Sequence, residues 1–214
     1  MPTWTLAHAD NFDTVNADIA GRALTTGGQT WAALAGNTGA ISSGDTNLAK
    51  NVGATTNHYH VSGMTALATV KVEFKRKGLQ TGVIWRVADN GNYYMVYTAG
   101  APEKIQFFKR VAGTFTLLTL GTTTIADNDI ITVESVGSTH DFAINGTPEF
   151  STSDSAHSAA GTAGLYADGA NQYMDEFKVY SDGGGRARLV GGGLVGGGKL
   201  LHSRLASGRR RGDR

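Results

Sequence analysis

The chain of 214 residues contains no cysteine, so a disulfide framework and thiolate metal sites are both excluded and the fold must stand on its core. It has three prolines against 30 glycines. No apolar run approaches the roughly eighteen residues of a membrane-spanning helix. The opening, MPTWTLAHADNF, lacks the basic start and apolar centre of a secretory signal. The expectation is a protein that stays where it is made or leaves by a route such as lysis. Glutamates are scarce: Glu73, Glu103, Glu134, Glu149 and Glu176 stand apart from one another. Helical periodicity is absent from every stretch of about ten residues, which argues against an α/β fold.

What is present is alternation. From residue 66 to 180 apolar and polar residues alternate with period two, broken by Gly, Asn and Asp turns. In TVKVEFK, Val70, Val72 and Phe74 share one face while Lys71, Glu73 and Lys75 share the other, which predicts a strand with one dry and one wet side. The stretch GVIWRVADNGNYYMVYTA reads as a hairpin turning at Asn90-Gly91, a pair suited to a type I′ turn with positive φ at both positions. That turn would oppose Val87 to Tyr94, Arg86 to Met95, Trp85 to Val96 and Ile84 to Tyr97. Val83, Trp85, Val87, Tyr94 and Val96 then form a core face. Ile84, Arg86, Tyr93, Met95 and Tyr97 form the other, an arginine among aromatics, and Arg86, Tyr93, Met95 and Tyr97 become the candidate recognition surface. Asn145-Gly146 signals a second turn. About a dozen short strands predict an all-β fold, a two-sheet antiparallel sandwich.

Charge divides the chain. Residues 183–214 hold eight Lys or Arg and one Asp, a net +7, which leaves 11 basic and 17 acidic residues, a net −6, for residues 1–182. The expected organisation is a sandwich over 1–182 and a Gly/Arg-rich basic arm over 183–214. Within the arm, Leu189-Val190, Leu194-Val195 and Leu200-Leu201 recur between glycine runs, and Arg209, Arg210 and Arg211 lie near its end. A solvated linker gains nothing from aliphatic residues, so the pairs imply burial against a partner, either another copy or a protein of a larger assembly. The alternative is a low-complexity end. Eight cations could contact phosphates, but the arm has no aromatic to stack on bases, so nucleic acid is not the expected partner. Arg211-Gly212-Asp213 matches the tripeptide of integrin ligands, a match that recurs by chance in an arginine-rich end. The glycine runs lack the setting and the Lys-Ser/Thr ending of a phosphate loop.

The order DNF, GRA and TW near the start, then GVIWRVADNGNYYMVY, ITVESVGSTHDFAING and GTAGLYADGANQYMDEFKVY, resembles the concanavalin A-like lectin/glucanase superfamily in its laminin-G-like jelly-roll branch. The resemblance covers roughly residues 8–180. It implies a curved double sheet, a jelly roll, and a tendency to bind glycans. It also implies that Asp175, before the last strand, could share a structural calcium with Asp10 in the segment ADNF; the alternative is that Asp175 caps backbone N–H groups. Laminarinase-type members of the superfamily carry paired glutamates as E-x-D-x-x-E on one strand, and no such arrangement exists here. Glu73 and Glu134 are expected on opposite-facing strands. His58 and His60 fall on one side of a strand without a visible third metal ligand.

Bacteriophage virions use jelly rolls of this type as minor tail or capsid-surface proteins. The reading that results is a non-enzymatic virion protein, with the sandwich facing host glycans and the arm anchoring it. A free-standing carbohydrate-binding protein and a glycoside hydrolase are the alternatives.

Overall fold

The computed structural model describes residues 2–13, 18–35, 41–42, 49–51, 56–78, 80–169 and 172–183. The arm residues Leu189, Val190, Leu194, Val195, Leu200, Leu201, Arg209, Arg210 and Arg211 lie outside the described residues, as does the Arg-Gly-Asp triplet. Among the described residues there is no helix.

Two antiparallel sheets form a sandwich. One has seven strands in the order β10 (Thr114–Leu120), β9 (Glu103–Val111), β8 (Asn92–Gly100), β7 (Thr81–Asp89), β14 (Thr162–Ala167), β5 (Asn57–Ser62) and β2 (Thr30–Ala33). The other has eight. Its order is β13 (Thr147–Ser153), β12 (Thr139–Ile144), β11 (Ile130–Val136), β6 (Val70–Arg76), β15 (Tyr173–Asp182), β4 (Ala49–Asn51) and β3 (Ile41–Ser42), with β1 (Trp4–Asp10) paired to the second half of β15. Strand β6 thus lies in one sheet while its sequence neighbours β5 and β7 lie in the other, the crossing between sheets that a jelly roll requires.

The core lies between the sheets and follows from the alternation. In β6, Val70, Val72 and Phe74 are buried and meet Trp85, Val83 and Val96 of the facing sheet within one apolar cluster. Trp85 stacks on Phe107 at 5.6 Å between ring centroids and meets Phe142 edge-on at 6.2 Å. Such aromatic contacts lock the two sheets in one arrangement beyond what area burial alone would do. At the β12–β13 turn, Asn145 (φ 50) and Gly146 (φ 78) take the positive angles expected of a type I′ turn.

The β7–β8 hairpin turns where expected but not as expected. Neither Asn90 nor Gly91 has a positive φ; the turn is held by Asp89, whose Oδ1 accepts from Gly91 N at 2.6 Å and from Asn92 Nδ2 at 2.9 Å. A turn of that hand twists against the strands it joins. The misfit is absorbed by a bulge, in which Arg86 adopts φ 49 and the register moves by two residues, so that Trp85 opposes Tyr94, Ile84 opposes Met95 and Gly82 opposes Tyr97. The neighbouring strand is shaped to fit the bulge. A Cβ on Gly161 would lie 2.4 Å from the Arg86 carbonyl carbon, so only glycine allows that approach.

Candidate functional site

The bulge reassigns two residues. Val87 belongs to the apolar cluster on the outer face of the seven-stranded sheet, whereas Arg86 turns inward. Its guanidinium donates to Ala68 O at 2.6 Å and His157 O at 3.0 Å, and only 2 % of the residue is exposed. The expectation that Arg86 sits on a recognition surface is therefore corrected: alternation across a bulge changes sides, and this arginine secures loops inside the sandwich.

The other three candidates, Tyr93, Met95 and Tyr97, do share the outer face of the seven-stranded sheet. Tyr93 and Met95 are buried in its floor, and Tyr97 is half-buried. Around them stand residues the hairpin alone did not reveal: Phe108 and Arg110 on β9, Phe115 on β10, Tyr166 on β14 and His58 on β5. One signal for them was available. Phe107 and Phe108 are adjacent on a strand, so one ring had to face away from the core.

This face is concave. Strands β10 and β14 are four steps apart, which is about 19 Å on a flat sheet. Yet the rings of Phe115 and Tyr166 approach to 6.5 Å between centroids. Strong curvature and inward-leaning side chains together close that gap. Tyr97 and Tyr166 meet edge-on at 5.5 Å above Gly82, the residue between them in register. Tyr97 also meets Phe108 at 6.3 Å.

Polar groups bound the aromatic array at both ends. At one, the Arg110 guanidinium lies 4.8 Å from the Phe115 centroid and donates to Tyr93 Oη at 3.1 Å and Asn90 O at 2.7 Å. Tyr93 Oη is in turn 2.8 Å from His58 Nε2. Because Arg110 can only donate, the consistent arrangement has the tyrosine hydroxyl donating to a neutral His58. Burial, reinforced by Arg110, lowers the His58 pKa to about 4, and burial raises that of Tyr93 to about 12. At the other end Asp168 accepts from Thr56 Oγ1 at 2.6 Å, and burial together with Asp168 raises the pKa of both Tyr166 and Tyr97. Such a face offers flat apolar rings with hydrogen-bonding groups at their margins, which is the chemistry a sugar ring recognises.

Of the proposed calcium ligands, Asp10 and Asp175 both line one cleft of about 310 Å³ beside the paired strands β1 and β15. Asp10, however, has no oxygen to give. Arg22 engages both its oxygens, Trp31 Nε1 donates to Oδ2 at 2.6 Å, and Phe12 N at 2.9 Å and Thr25 Oγ1 at 3.3 Å donate to Oδ1. Asp175 accepts from Glu176 N at 2.8 Å, the capping alternative, and lies 3.7 Å from Lys75 Nζ. Glu176 is bonded by Lys75 and Lys178 at 2.6 and 2.8 Å. The cations a carboxylate cluster needs are side chains of the protein, and a calcium wanting six to eight free oxygens does not fit. No group of three metal-ligating side chains occurs among the described residues, His58 and His60 included.

Glu73 and Glu134 also differ from expectation. They lie on adjacent strands with their side chains on one face of the eight-stranded sheet, because β6 and β11 are register neighbours. Lys71 Nζ sits between them, 3.0 Å from Glu73 and 3.5 Å from Glu134, and Tyr180 donates to Glu73 at 2.7 Å.

No protein-family model and no curated protein matches the chain. Solved structures do. A Bacillus subtilis protein of unknown function with a galectin-like fold superimposes with a TM-score of 0.61 at 11 % identity, over 85 % of this chain and 98 % of that one. The fold the two share is a two-sheet, galectin-like antiparallel sandwich. Carbohydrate-binding module CBM66 of B. subtilis matches with a TM-score of 0.51 at 14 % identity, covering 85 % of this chain and 94 % of its own. Domain 4 of AbnA, a GH43 extracellular arabinanase from Geobacillus stearothermophilus determined in complex with arabinotriose, matches with a TM-score of 0.53 at 14 % identity, covering 84 % and 93 %. At such identities the likeness is one of fold, and fold alone does not assign an activity.

Proposed function

We propose that this protein is a non-catalytic carbohydrate-binding module that presents its concave aromatic face to a glycan. The observation that carries the reading is the array of Tyr97, Phe108 and Phe115 on that face, packed on the buried Tyr166 and bounded by Arg110 and Asp168. A carbohydrate-binding module and an arabinanase domain of the same fold support it. Tyr97→Ala and Phe108→Ala are each expected to weaken binding to an immobilised glycan panel about tenfold or more, on the scale of one lost aromatic stacking contact, with melting temperature little changed. Unchanged binding in both variants would remove the concave face from consideration.

We propose further that the module is a component of a virion, a bacteriophage minor tail or capsid-surface protein made in the host cytoplasm. Residues 183–214 would anchor it to other virion proteins or to copies of itself, leaving the sandwich to reach host surface glycans. The support is the contrast between an acidic body and a basic arm spaced with aliphatic pairs. Multiple copies on one particle would raise avidity by about 10²–10⁴ over a weak single site. A chain ending at Asp182 should then stay folded and fail to join the particle; incorporation at full occupancy would show that the arm is not the anchor.

A glycoside hydrolase is the second reading, favoured by one observation, the neighbouring carboxylates Glu73 and Glu134. Against it, Lys71 occupies the space between them where a glycosidic oxygen would have to sit. Release of reducing sugar that disappears in Glu134→Gln would establish the enzyme.

A further inference from the structure

Two contacts cross the concave face diagonally. Phe115 on the edge strand β10 reaches Tyr166 on β14, and Tyr93 on β8 reaches His58 on β5, three strands away. They are joined into one barrier, since Phe115 meets Tyr93 edge-on at 6.2 Å and His58 meets Tyr166 at 5.1 Å. Arg110 braces it from behind, over the Phe115 and Tyr93 rings at 4.8 and 5.6 Å. Tyr93, His58 and Tyr166 are buried and form the packed base of the barrier in the floor of the face, and Phe115, 39 % exposed, is the ring that stands up from it.

The consequence is geometric. A glycan that binds by its interior must run across the concave face and leave at both ends. Here the diagonal of rings closes one direction. The part left open beside it is floored by Tyr97, Phe108 and Gln106 and walled by Leu117 and Leu120 of β10, which are 49 % and 50 % exposed. From β8 to β10 it spans two strand steps, about 10 Å, which is room for two sugar rings.

We infer that the concave face is a blind seat for the end of a glycan chain, holding its terminal two or so units, and not a through-groove for chain interiors. The inference rests on the carbohydrate-binding reading above and names the part of the ligand that is bound. Terminal units differ from interior ones in having one more free hydroxyl, and the groups able to recognise it at the barrier are those around Tyr166 and Asp168.

The test is titration calorimetry of the full chain with laminari-, xylo- and arabino-oligosaccharides of one to six units. For the series that binds, affinity should rise to two or three units and then stay level within about twofold, whereas a through-groove would add roughly tenfold for each further subsite filled. Phe115→Ala, which opens the barrier at an exposed edge position, should restore a gain with length beyond three units. Affinity that climbs steadily to six units in the wild type would overturn the blind seat while leaving carbohydrate binding intact. Binding by none of the three series would overturn both readings together.

Discussion

Asp10→Ala is expected to cost about 3–5 kcal/mol of stability, because it leaves a buried arginine without its counter-charge. The Arg22 side chain is 7 % exposed and that of Asp10 is fully buried, so water cannot replace the lost partner. The same substitution strands Trp31 Nε1 and Phe12 N, two further donors inside the sandwich. Trp31 in turn packs on Phe12 at 6.2 Å and on Phe177 of β15 at 5.0 Å, so the carboxylate ties the N-terminal segment to the last strand. Urea unfolding would measure the loss, and a value below 1 kcal/mol would show that the hub is dispensable. A chelator separates this explanation from a metal site. Since protein donors fill the Asp10 oxygens, excess EDTA should leave the wild-type melting temperature unchanged, and added calcium should not rescue the variant.

That hub shows what a sequence does and does not reveal. The segment ADNF and the aspartate of YMDEF are brought to one cleft, as the jelly-roll resemblance implies, because β1 pairs with the second half of β15. The occupant of the cleft was illegible. Arg22 is twelve residues from Asp10 on an irregular stretch, and only the fold shows that its guanidinium reaches the carboxylate that a calcium would need. The strands themselves were legible wherever one face was dry, as in β6, since burial imposes the period of two. Alternation failed at Arg86, where one bulge moved an arginine from the recognition face to the interior. It failed again for Glu73 and Glu134, whose proximity depends on β6 and β11 being neighbours despite 60 intervening residues. Both are properties of strand order and register, which no local pattern encodes. The aromatic face was half legible: Tyr93, Met95 and Tyr97 fell on one side as alternation requires, while Phe115 and Tyr166 joined them through curvature.

The second large effect is acid lability. His58 and His140 are buried, 6 % and 0 % exposed, and burial lowers the pKa of each from 6.5 to about 4. His58 faces Arg110, Tyr93 and Tyr166; His140 bonds Ser135 Oγ at 2.9 Å and the Asp154 carbonyl at 3.2 Å, with Tyr94 edge-on at 4.5 Å. A folded-state pKa below the unfolded one means that the unfolded chain takes up the proton first as pH falls. The stability these neutral imidazoles allow is therefore fully present above pH 6.5, declines between 6.5 and about 4, and is gone below that. At 1.36 kcal/mol per unit the cost is about 3 kcal/mol for each histidine, a total comparable to the 5–15 kcal/mol net stability of a typical domain. Glu176, which Lys178 and Lys75 hold at about 2, adds loss only at still lower pH; Asp175, raised mainly by burial, acts in the opposite sense. Thermal melts between pH 7.5 and 4 should accordingly show a steep fall beginning near 6.5, and His140→Gln should start lower and fall less. The decline should also carry glycan binding with it, since His58 and Tyr93 form part of the barrier on the concave face. A melting temperature that stays level from pH 7 to 4.5 would mean that both imidazoles can be charged in place, and the packing described around them would have to be wrong.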